Sequence, residues 1–65
     1  MIRLNNANYQ YKEGLTVTLL MKEKGYNFSN IVVRINGKVI EKDKWDDTLI
    51  NDGDDVLMLH MFAGG

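Results

Sequence analysis

Asp52-Gly53-Asp54 turns the chain into Asp55-Val56-Leu57-Met58-Leu59-His60-Met61-Phe62, a run with apolar side chains on both of its faces. Side chains alternate across a strand, so Leu57, Leu59 and Met61 share one face while Val56, Met58 and Phe62 share the other. A strand apolar on both sides is central in its sheet or covered by a partner. Upstream lie the strands that could flank it. Ile31-Val32-Val33-Arg34-Ile35 is β-branched, with Ile31, Val33 and Ile35 on one face, and Asn36-Gly37 fits the two-residue type I′ turn into Lys38-Val39-Ile40. Met1 to Asn5 alternates with Ile2 and Leu4 on one face, and Asn5-Asn6-Ala7-Asn8 carries turn chemistry before a second short strand predicted around Tyr9 to Lys12.

Between the two hairpins, Leu15, Val17, Leu19, Leu20 and Met21 fall at helical spacings. Thr16 suits the N-cap, and Gly25 sits where a left-handed C-cap belongs. Lys42 to Asp47 is charged around the single Trp45, which predicts a short helical turn whose indole plugs the core edge. Two hairpins, one helix and a closing two-sided strand make an α+β domain with the helix across one face of a mixed sheet. One helix covers one face, so the other face of the last strand is expected to be covered in part by loops and Trp45, or exposed as an interaction patch.

Sixty-five residues suit one small domain, residues 1–65, ending in a tail at 63–65. Without cysteine there is no disulfide framework, thiolate metal site or thiol nucleophile. Eight basic against nine acidic side chains leave too little positive field for a general nucleic-acid binder, which points to protein partners. The longest uninterrupted apolar run, Val56 to Leu59, is far short of a membrane span. A cytoplasmic protein is the default expectation.

The chain closes on Phe62-Ala63-Gly64-Gly65. Glycines have no side chain and accept either sign of φ, so such a tail enters a narrow channel and presents its carboxylate to a phosphate. Adenylation turns an inert carboxylate into a mixed anhydride, a good acyl donor. A frayed terminus is the plain alternative.

The whole chain resembles the ubiquitin-like β-grasp sulfur carriers, and within them the ThiS branch of thiamin thiazole biosynthesis. The resemblance is carried by Thr16-Val17 with Leu19-Leu20, Val33 to Val39 with Asn36-Gly37 at the turn, Trp45, Asp52-Gly53-Asp54 and Ala63-Gly64-Gly65. It implies a cosubstrate rather than an enzyme, with no stably bound cofactor. A ThiF-type adenylating enzyme would use ATP and Mg²⁺ to make a Gly65 acyl-adenylate, and sulfur from a persulfide donor would replace the AMP. The Gly65 thiocarboxylate would then deliver sulfur to a ThiG-type thiazole synthase. In this reading Gly64 keeps the tail slim, and Ala63 and Phe62 set where it leaves the body. A MoaD-like carrier for molybdopterin synthesis, a ubiquitin-like protein modifier and an interaction module without tail chemistry are the alternatives.

Other residues invite chemistry of their own. His60, the only histidine, has no Cys or second His beside it in the sequence, no Ser supports a triad with it, and it is expected at a partner-facing or edge position. Asp43, Asp46, Asp47, Asp52, Asp54 and Asp55 miss the spacing of a calcium loop and read as a solvated acidic face. Met58 and Phe62 are candidates for an adaptable docking surface, with core filling the alternative for the methionine.

Overall fold

The structure, a computed structural model, describes residues 1–26 and 30–60. Strand β1 (Ile2–Leu4) and strand β2 (Ala7–Tyr9) form the first hairpin, helix α1 (Val17–Lys24) follows, and β3 (Ile31–Ile35) and β4 (Lys38–Ile40) form the second. A 3₁₀ turn at Lys42–Lys44 precedes β5 (Asp55–His60). The sheet runs β2-β1-β5-β3-β4. β5 is therefore central, parallel to β1 and antiparallel to β3, and the arrangement is the α+β β-grasp.

The first hairpin departs from the sequence expectation. Its second strand is Ala7–Tyr9 rather than Tyr9 to Lys12, because Asn5 and Asn6 alone make the turn, both with left-handed backbone at φ 50° and 67°. Asn tolerates that region through local side-chain bonding, so no glycine is needed. In the second hairpin Asn36 (φ 52°) and Gly37 (φ 83°) make the expected turn, with Ile35 opposite Lys38.

Helix α1 is bounded as its sequence demands. The Thr16 hydroxyl accepts from the Leu19 N–H at 3.1 Å. At the other end Gly25 (φ 69°) donates to Lys22 O, and the Tyr26 N–H reaches back to Met21 O at 3.0 Å, which satisfies carbonyls the helix leaves unpaired. Its inner face buries Val17, Leu20 and Met21 against Ile2, Leu4, Ile31, Val33, Ile35, Val56 and Met58. Leu15, Ile50 and Trp45 close the core. Backbone bonds from Val17 N–H to Thr48 O and from Ile50 N–H to Leu15 O stitch the long connection before β5 onto the helix start.

On the helix side of the first hairpin, Lys12 pairs with Glu23, and the Tyr9 hydroxyl donates to Glu23 at 2.8 Å. These partners, Lys12 first, hold the Glu23 carboxyl below its ordinary range, while the same hydrogen bond raises the Tyr9 phenol. A carboxyl whose folded pKa lies below its unfolded one stabilises the fold above the ordinary glutamate range and loses that contribution as pH falls through its folded value. The Tm difference between the native chain and Glu23→Gln is expected to be small at neutral pH, because the pair is exposed, and to vanish on acidification. A difference that grows in acid would contradict this.

Candidate functional site

The site is built from the strand that leads to the tail. β5 pairs with β3 through its whole length, from Ile35 opposite Val56 to Ile31 opposite His60. With β1 it shares only the pairs Arg3 to Asp55 and Leu4 to Val56, since the first hairpin turns away at Asn5. Side chains from the two hairpin turns extend the hold on β5. The Asn36 amide nitrogen donates to Asp54 Oδ1 at 3.0 Å, and its oxygen accepts from the Asp55 N–H at 2.9 Å. The Asn5 oxygen accepts from the Met58 N–H at 2.8 Å, and its nitrogen donates to Met58 O at 3.2 Å.

The aspartates before β5 serve the turn. The second Asp54 oxygen accepts from the Asn51 N–H at 2.9 Å, and Asp52 meets the Met1 amine at 2.6 Å. Asp46 accepts from the Thr18 hydroxyl at 2.5 Å. No group of three or more His, Asp or Glu among the described residues is arranged to hold a metal ion. The acidic stretch is used for turn capping and solvation.

One sequence expectation about a partner-facing residue changes here. Met58 is 3% exposed and belongs to the helix-side core, so it fills the interior and is not on the surface offered for docking. Register explains this: it stands opposite Val33, which is wholly buried. Replacing Met58 with Asp, which leaves a carboxylate among apolar neighbours, is therefore expected to abolish cooperative unfolding rather than merely weaken partner binding. A native thermal transition in that variant would contradict the placement. Trp45 plugs the core edge as expected, 4% exposed, with its indole N–H donating to Ile40 O at 2.9 Å; among the described residues the opposite face keeps exposed apolar side chains.

That opposite face carries two of the exposed large apolar side chains, Val39 and Leu59. Leu59 (45% exposed) lies opposite Val32, and Leu57 opposite Arg34, with Val39 (52% exposed) across from Arg34 on β4. Around the end of β4 the face runs into an open groove of about 420 Å³ lined by Ile31, Val32, Val39, Ile40, Lys42 and Trp45 among others. The signal for this face was present in the sequence. Arg34 alternates with Ile31, Val33 and Ile35, and a charged side chain marks the outward parity of its strand.

His60 is exposed at the end of β5. Its ring meets Tyr26 edge to face, with centroids 6.0 Å apart at 84°. Tyr26 is set there by the Gly25 turn, so the helix C-terminus meets the end of the described part of β5. Phe62, Ala63, Gly64 and Gly65 lie outside the described residues. Gly65 is five residues beyond His60, a reach of at most about 17 Å.

Among the described residues no helix is long and apolar enough to cross a membrane.

Comparison with known proteins gives a consistent answer. The model of the ThiS family matches residues 2–65. The sulfur carrier protein ThiS of Escherichia coli (strain K12) is 27% identical over 64 residues, covering 98% of this chain and 97% of that protein. The crystal structure of the thiamine biosynthesis protein ThiS from Geobacter metallireducens superposes with a TM-score of 0.83 at 28% identity, covering 98% of this chain and 97% of the other. A solution NMR structure of a thiamine biosynthesis protein from the same organism gives 0.76 at 30% identity, covering 98% and 86%.

Proposed function

This chain belongs to the ThiS family, and from that premise we propose that it is the sulfur carrier of thiamin biosynthesis, holding sulfur as a thiocarboxylate on Gly65. It is not itself a catalyst. A ThiF-type adenylating enzyme supplies ATP and Mg²⁺: a Gly65 carboxylate oxygen attacks the α-phosphorus, pyrophosphate leaves, and the acyl-adenylate becomes open to attack at carbon. The terminal sulfur of a persulfide donor attacks the acyl carbon and displaces AMP, giving an acyl disulfide. A second thiol then attacks the donor's sulfur in that bond, leaving as a disulfide with it and releasing the Gly65 thiocarboxylate. A ThiG-type thiazole synthase takes that sulfur and returns the carboxylate. The carrier binds no cofactor of its own and works in the cytoplasm.

The observation that carries this reading is the position of β5. A central strand, held on both edges, leads into Phe62-Ala63-Gly64-Gly65, so the reactive end is tethered to the most constrained strand of the sheet. The outward face with Leu57, Leu59, Val32 and Val39, together with His60 and Phe62, is what the partner enzymes meet. Chain charged with isotopically labelled sulfur, offered in parallel to thiazole synthase and to the large subunit of molybdopterin synthase, discriminates the pathway. Label is expected in the thiazole. Label delivered instead to molybdopterin, or chains found in isopeptide bonds to lysines, would overturn the assignment.

A further inference from the structure

The two hairpins flank β5 on opposite sides, and each begins its turn with an asparagine in left-handed backbone, Asn5 at φ 50° and Asn36 at φ 52°. Each also turns its carboxamide onto β5. Asn36 grips the strand where it begins, at Asp54 and Asp55. Asn5 grips it near its end, accepting from the N–H and donating to the carbonyl of Met58, two residues before His60.

The consequences of the two grips differ. β1 contributes backbone bonds to β5 from Arg3 to Asp54 O and from Asn5 to Val56 O, and then its chain turns away. Beyond Val56 the β1 side of β5 would be an unpaired edge, and the Asn5 side chain supplies the next rung in place of backbone. The side chain thus holds the last described stretch of β5 on that side, seven residues before Gly65 in the sequence.

We propose that Asn5 is a positioning residue for the chemistry at Gly65: its carboxamide fixes the path on which the chain leaves β5, and so the aim of the tail into the adenylating enzyme. This rests on the sulfur-carrier reading. Asn5 acts through Met58 and touches no reacting atom. A rung that only added stability would behave like the Asn36 grip; a positioning rung affects the reaction of the folded protein.

The experiment compares three full-length variants with the native chain as substrates of the ThiF-type adenylating enzyme with ATP and sulfur donor. Asn5→Gly removes the carboxamide while keeping a residue at ease with positive φ. Asn36→Gly does the same at the other end of β5, and Asn6→Gly alters the first turn while leaving the Met58 rung in place. Each is assayed at a temperature where its folded fraction, measured by circular dichroism, matches the native one. For Asn5→Gly the Met58 amide is expected to exchange with solvent about ten-fold faster. The kcat of thiocarboxylate formation is expected to fall about ten-fold with KM within about two-fold of native, the mark of a docked body with a misaimed tail. Asn36→Gly and Asn6→Gly are expected to load at native kcat.

If Asn5→Gly folds too poorly to assay, Asn5→Asp keeps the acceptor for the Met58 N–H, loses the donor to its carbonyl, and is expected to lie between. Native kcat in a folded Asn5→Gly or Asn5→Asp chain would overturn the proposal, as would an equal loss in Asn36→Gly. Failure of the native chain to take up sulfur would instead overturn the carrier reading, so the two failures are distinguishable.

Discussion

Replacing Trp45 with alanine is expected to lower the melting temperature by about 15 °C or more and to leave a chain only partly folded at 25 °C. The indole is 4% exposed and spans the gap between the second hairpin and the helix start, where its own carbonyl accepts from the Thr18 N–H at 3.4 Å. Truncating a buried tryptophan costs about 3–5 kcal/mol, part lost transfer energy and part cavity. Against that, a domain of this length has a total stability of only about 3–10 kcal/mol. Each kcal/mol moves the midpoint of so small a domain by about 4–8 °C. Trp45→Phe separates the two contributions. It keeps most of the apolar volume but leaves Ile40 O without its 2.9 Å donor, at a cost of about 1–3 kcal/mol. A thermal transition of Trp45→Ala within a few degrees of native would show that the indole is not the keystone of that corner.

Substituting valine for Gly64 is expected to have the opposite profile, with an unchanged melting temperature and thiocarboxylate formation slowed by about 100-fold. In the proposed reaction Gly64 precedes the carboxyl that reaches the α-phosphorus of ATP in line with its leaving group. A β-branched side chain there widens the tail and restricts its backbone at the step that depends most on alignment. Among the described residues the core runs from Ile2 to Met58, and the expectation is that the body folds without Gly64. Loading of Gly64→Val at the native rate would contradict the role given to the paired glycines, whereas a drop in melting temperature would mean that the tail packs on the body.

How much of this was legible in the sequence follows from the range of each interaction. Local signals were read correctly where one residue type has a single use: Asn36-Gly37 at a hairpin turn, Thr16 and Gly25 at the helix ends, Asp52-Gly53-Asp54 before the last strand. The first hairpin was misplaced because its turn has two asparagines and no glycine, and because Ala7 and Asn8 have little strand propensity of their own. Pairing with β1 makes them a strand. Met58 was open between core and surface because both faces of β5 are apolar. Only its register with Val33 assigns the inner face, and register is a property of two strands. The Asn5 rung joins residues 53 apart, and no window along the chain contains both ends. The tail chemistry was read from Gly64-Gly65 and the family resemblance, since those residues lie beyond the described part of the structure.

Intact mass of the native chain and of a chain lacking Gly65, each incubated with ATP, Mg²⁺, a ThiF-type adenylating enzyme, a persulfide sulfur donor and a thiol reductant, decides whether this molecule carries sulfur. The expected result is a mass gain corresponding to sulfur in place of one oxygen in the native chain, localised to its last residue, and no gain in the truncated chain. An unchanged native mass with an adenylating enzyme that is demonstrably active on another carrier, or an equal gain in the chain without Gly65, would contradict it.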